Sequence, residues 1–150
     1  MAGSAPHTRH GENHEQRHRE PSGRPGTGVR HPAEGRRLPY LAEALRQAGV
    51  RRCRMAVPSH AMLYLTEAGA VAVQGEPLCT GMVDVAPFDR EALVAALRSD
   101  QAGETSFPEF VEGCWKAGVV WYDVDLNART CTYYGADGDD YTESYPGVDI

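Results

Sequence analysis

LPYLAEALRQAGV at residues 38–50 and FPEFVEGCWKAGV at residues 107–119 are the two stretches on which the reading of this 150-residue chain turns. They align without a gap at an offset of 69. The match continues downstream, so that Leu38–Ala72 lies over Phe107–Tyr141. Pro39, Glu43, Ala48, Gly49, Val50, Tyr64 and Gly69 meet Pro108, Glu112, Ala117, Gly118, Val119, Tyr133 and Gly138. One supersecondary unit is therefore expected twice, because neither copy can bury its apolar face alone.

Each unit opens with a helix. Ser106 followed by Glu109 has capping-box spacing, and Pro108 suits a first turn. Phe107, Phe110, Val111, Cys114 and Ala117 then fall on one helical face. Leu38, Leu41, Ala42, Leu45 and Ala48 make the matching face of the first copy. Gly49 and Gly118 close the two helices, as residues of positive φ do. Three strands follow in each copy. They are expected near Val50–Ala56, Ala61–Thr66 and Ala70–Gln74, and near Val119–Asp125, Thr130–Gly135 and Asp140–Tyr145. Asp137-Gly138 reads as a two-residue hairpin turn. Between the copies, Asp89 is placed as an N-cap with Phe88 and Leu93 as a staple, which predicts one further helix. Its counterpart at the same offset would span residues 20–31. That stretch holds Pro21 and Pro25 and several glycines, which oppose a regular helix.

The expected fold is α+β: two pseudo-symmetric helix-plus-hairpin repeats forming mostly antiparallel sheet, with helices on one face. Repeat one spans 38–74, a connecting strand and helix 75–104, and repeat two 105–146. Residues 1–37 read as a disordered tail, since they carry Gly, Pro, Ser, Arg and five of the six histidines but hardly any large apolar residue.

Pairing the second-copy strands through their turns sorts side chains by face. Val120, Tyr122, Val124, Cys131 and Tyr133 are assigned to the core. Trp121, Asp123, Asp125, Thr130, Thr132, Tyr134, Tyr141, Glu143 and Tyr145 are assigned to the opposite, outer face. Trp121, Asp123, Tyr134, Tyr141 and Glu143 are the candidate binding residues there, because aromatics with polar tips favour recognition. The first copy would carry Arg52 and Arg54 on that face, opposite in charge to the second.

Charge is unevenly distributed. Residues 1–37 hold seven Arg and four Glu, a net of +3, and the remainder has a net of −9. An acidic folded part argues against binding to a nucleic-acid backbone. No apolar run is long enough for a membrane span, and no signal-peptide core is present, so a cytoplasmic location is expected. Cys53, Cys79, Cys114 and Cys131 have no zinc spacing and are expected as buried thiols. Asp123, Asp125 and Asn127 open like a calcium loop, but Ala128 and Tyr134 stand where the glycine and the bidentate glutamate belong. No metal or cofactor is therefore expected. His60 lies in a predicted turn, and nothing in its spacing joins it to a cysteine as a catalytic pair.

The run from Gln101 to Phe110, QAGETSFPEF, followed by Ala117-Gly-Val119, Tyr122-Asp-Val-Asp125, the segment from Arg129 to Gly135 and Glu143-Ser-Tyr-Pro146, resembles the bacterial domain of unknown function 1398 family. Its members often bear the label "phage envelope protein". The resemblance is specific across 88–148 and weaker across 38–87. It implies the repeated helix and strand unit but supplies no activity or catalytic residue. A non-catalytic binding or interaction domain using the aromatic and acidic face is the leading expectation, with an unknown protein or small molecule as partner and a homodimer possible. The alternatives are a small-molecule enzyme with Tyr and carboxylate residues in a cleft between the repeats, and a phage-related structural protein.

Overall fold

A computed structural model of the chain describes residues 37–150. The order is α1 (Arg37–Gln47), β1 (Val50–Ala56), β2 (Ala61–Thr66), β3 (Gly69–Gln74), α2 (Arg90–Gln101), α3 (Phe107–Lys116), β4 (Val119–Asp125), β5 (Thr130–Gly135) and β6 (Asp140–Ser144). This is an α+β domain. All six strands join one antiparallel sheet of order β3-β2-β1-β4-β5-β6. The tail expected at residues 1–37, and with it the stretch 20–31 where no counterpart of α2 was expected, lies outside the described residues, except that α1 already begins at Arg37.

Local chemistry accounts for the helix ends. Asp89 caps α2 by accepting from the Ala92 amide at 3.0 Å. Ser106 and Glu109 cap α3 reciprocally, each side chain taking the other's backbone N–H. Both α1 and α3 run into glycines of positive φ, Gly49 and Gly118. The bounds of β1 and β4, and of β2 and β5, differ by the same 69 residues. So do the positive-φ positions His60 and Arg129, and Gly69 and Gly138. Both β1 and β4 carry a register irregularity one residue into the strand, between Val50 and Arg52 and between Val119 and Trp121.

That irregularity corrects one core assignment. Val119, not Val120, is fully buried, because the bulge shifts inside–outside alternation by one residue. Beyond it the alternation holds. Tyr122, Val124, Cys131 and Tyr133 are buried together with Cys53 and Met55. Leu93, Leu97, Phe110, Val111 and Cys114 pack on them from the helices. No charged or polar residue is buried among the described residues. The fourth cysteine, Cys79, is only partly buried, contrary to expectation.

No strand forms in the connection from Gly75 to Asp89, although one was expected there. Pro77 and Pro87 lack the N–H a ladder needs, and the segment makes isolated backbone bonds, from Gly75 N–H to His60, from Leu78 N–H to Pro58 and from Asp89 N–H to Ala117.

Candidate functional site

The largest correction concerns β6. Tyr133 pairs with Tyr141, Cys131 with Glu143 and Thr132 with Thr142. Directly paired residues share a face, so Tyr141 and Glu143 lie on the helix side rather than the outer side. The cause is one residue of loop length. The β5–β6 turn is closed by Gly135 N–H donating to the Asp139 carbonyl, leaving Ala136, Asp137 and Gly138 as a three-residue loop. Gly138 sits at φ 89°, the left-handed position such loops require. A two-residue turn would have set Tyr134 opposite Tyr141. The extra residue moves every β6 side chain across the sheet.

On the outer face, Trp121 and Tyr134 do meet, with ring centroids 6.0 Å apart and planes tilted by 40°. Asp123 is not a free acid there. Arg54 stands opposite it in the β1–β4 register and grips both its oxygens at 2.6 and 2.7 Å. Arg52 reaches Asp125 at 3.6 Å. The Arg54 guanidinium also lies 5.9 Å from the Trp121 ring. Arg52, Arg54, Asp123 and Asp125 on this face therefore neutralise one another. A depression of about 240 Å3, lined by Arg51, Arg52, Leu65, Asp125 and Asn127, lies on it.

The helix side holds a much larger concavity. Between α1 and the α2–α3 pair, over β1, β2, β4 and β5, a groove of about 1210 Å3 opens. Met55, Met62, Tyr64 and Val73 wall it from the first copy; Phe110 and Tyr133 wall it from the second. Glu143 supplies a polar end. Its carboxylate receives Arg98 from α2 at 2.6 Å, the Tyr141 hydroxyl at 2.6 Å and the Gln101 amide at 3.1 Å. Arg90 lies 5.0 Å over the Tyr141 ring. Burial alone would raise the Glu143 carboxyl, but these donors outweigh it and hold it below the ordinary carboxylate value. The stability it contributes is present above that ordinary value and is lost as pH falls through the lowered folded one. Glu143→Gln should therefore flatten the acid limb of a pH–stability profile, measured by urea unfolding between neutral pH and pH about 3.

Two features bear on chemistry. Burial pushes the Cys53 thiol up to about 11 and the Cys131 thiol up to about 12, so both stay protonated and are poor nucleophiles at neutral pH. Tyr145 lines the groove, burial pushes it up to about 12, and its buried hydroxyl has no hydrogen-bond partner among the described residues. His60 also lines the groove, with Nδ1 3.1 Å from the Glu76 carbonyl. No group of three or more metal-ligating side chains is assembled, and no helix is long and apolar enough to cross a membrane, among the described residues.

Sequence reasoning raised a cleft between the repeats only as the alternative and assigned none of its lining. The parity of β6 contained a usable signal: Tyr141, Glu143 and Tyr145 alternate with Asp140, Thr142 and Ser144, so aromatics recur on one side only. The groove itself combines side chains from both copies and has no local signature.

A six-stranded antiparallel sheet with its helices on one side and an apolar groove beneath them defines this protein as a small α+β domain built around a concave face. The family described as "Protein of unknown function (DUF1398)" matches residues 31–143, and the chain belongs to that family. It is 52% identical over 112 residues to an uncharacterised protein of Mycobacterium bovis, and equally to uncharacterised proteins of two Mycobacterium tuberculosis strains. Each alignment covers 75% of this chain and 68% of the relative.

Proposed function

We propose that this is a non-catalytic binding domain whose site is the helix-side groove, and that it takes a mainly apolar small molecule carrying one hydrogen-bonding group. The observation that carries this reading is the groove's volume together with its lining of thioether, aromatic and aliphatic side chains. Ligand sites are typically concave, mostly apolar and about 300–1,000 Å3, with a few polar points that fix orientation. The polar side chains in its lining, His60, Gln101 and Glu143, would be such points. The outer face is the weaker candidate, because its central Arg and Asp side chains are already paired with one another.

The groove offers little toward catalysis. Its thiols are held protonated, and the Glu143 carboxylate is already engaged by Arg98, Tyr141 and Gln101, which leaves it no spare role as acid or base.

The test uses the full chain. A panel of medium-chain aliphatic and aromatic carboxylates, alcohols and amides is screened by thermal shift. A ligand at about 100 times its Kd should stabilise by about 2.7 kcal/mol, several degrees in Tm. Met62→Trp, at a half-buried wall position, should abolish the shift while leaving the unliganded melt cooperative. A shift that survives Met62→Trp but disappears in Trp121→Ala would move the site to the outer face. Absence of any shift across the panel would count against the groove.

A further inference from the structure

The two edges of the sheet are chemically unlike. The β6 edge carries Asp140 and Glu143 and runs on to Pro146, devices that discourage strand addition. The β3 edge, Gly69-Ala-Val-Ala-Val-Gln74, has no charge and no proline, and all six residues are exposed. Val71 and Val73 are 53% and 52% exposed on the helix side. Among the described residues β3 pairs only with β2.

The ladder fixes which backbone groups are free. Gly75 N–H donates to the His60 carbonyl. In the β2–β3 register this makes Met62–Val73 and Tyr64–Val71 the hydrogen-bonded pairs. Ala70, Ala72 and Gln74 therefore turn their N–H and C=O groups outward.

We infer that β3 is a homodimer interface, joined antiparallel to β3 of a second copy about a twofold axis through Ala72. In that register Ala72 exchanges both backbone bonds with its counterpart, and Ala70 faces the partner's Gln74. On the outer face only methyl groups and an amide meet. On the helix side Val71 faces the partner's Val73, which makes one contiguous patch of four valines. A strand can add to its own copy only if like charges do not face each other, and this run satisfies that condition along its whole length. Glu67 and Glu76 bracket it and set its limits. Val73 also lines the groove, so the partner strand would extend the groove's open wall. The pairing surface itself does not depend on what the groove binds.

Sedimentation velocity of the full chain across a concentration series is the test. The expected result is a monomer–dimer equilibrium that tightens with added salt, because Glu67 approaches the partner's Glu76 at each end. Ala72→Pro removes an outward N–H that the monomer does not use, and should leave the melt cooperative while shifting the species to monomer. Val73→Lys, at an exposed position, should do the same through like-charge repulsion. Thr142→Pro, at the equivalent outward-facing site of β6, should leave the dimer intact. A wild-type chain that is monomeric throughout, or a dimer that survives both Ala72→Pro and Val73→Lys, overturns the inference. A monomeric full chain that dimerises only when residues 1–36 are deleted also overturns it, by showing the edge covered in cis.

Discussion

Tyr133→Ala is expected to cost about 3–5 kcal/mol of stability, as truncation of a large buried aromatic does, and Trp121→Ala about 1 kcal/mol or less, the scale of a cross-strand pair. The two residues sit on adjacent strands, with Trp121 opposite Tyr134 and Tyr122 opposite Tyr133. They differ mainly in face. Tyr133 is 3% exposed; its ring lies 5.4 Å from Tyr122 and meets Phe110 edge-on at 6.4 Å. Trp121 is 40% exposed and meets only Tyr134 from β5 and the Arg54 guanidinium from β1 among rings and cations of the described residues. Chemical denaturation of the two variants beside wild type measures both values. Equal losses would mean that the outer face is covered and that the sheet has a second core.

Gly118→Ala should be the more damaging of two matched glycine substitutions. Gly49 and Gly118 end α1 and α3 at φ 92° and 83°. An L-residue forced into that region costs about 1–2 kcal/mol at either site. At Gly49 nothing else stands in the way of a Cβ. At Gly118 the new atom would lie 2.5 Å from the Pro87 carbonyl oxygen and 2.6 Å from that of Ala86. Both are backbone atoms of the connection leading into α2, which is pinned by Asp89 N–H donating to the Ala117 carbonyl at 2.8 Å. Overpacking of this kind adds about 1–3 kcal/mol. Gly49→Ala should therefore lower Tm by a few degrees, and Gly118→Ala by about twice that or more. A larger loss at Gly49 would mean that α1 is under a constraint not visible in its described neighbours.

The contrast between those glycines indicates how much of the fold was legible. Helix ends and strand bounds follow from short-range chemistry: glycine after a helical stripe, a capping box, alternation bounded by turn residues. Those elements fall within a residue or two of expectation. What crosses between elements was not legible. The clash at Gly118 depends on where residues 86–87 travel. The Arg54–Asp123 pair was foreseeable as opposite charge on one face, but its two-pronged geometry depends on the β1–β4 register. Of the five candidate site residues, Trp121, Asp123 and Tyr134 lie on the outer face, and Tyr141 and Glu143 line up on the helix side. The error came from counting two residues in a loop that has three. A face assignment is only as good as the turn that precedes it, because strand parity has period two.

That loop has a consequence for how the two halves of the sheet became unlike. With a two-residue turn at Glu67-Ala68, β3 turns Val71 and Val73 toward the groove side. With three residues at Ala136–Gly138, β6 turns Tyr141 and Glu143 there instead. One hairpin thus ends in an aliphatic, uncharged margin, and the other in an ion pair locked to α2. One residue of turn length separates the two arrangements. Point substitutions would have to rewrite a strand position by position to exchange its faces, whereas one inserted or deleted residue in a turn does so at a stroke.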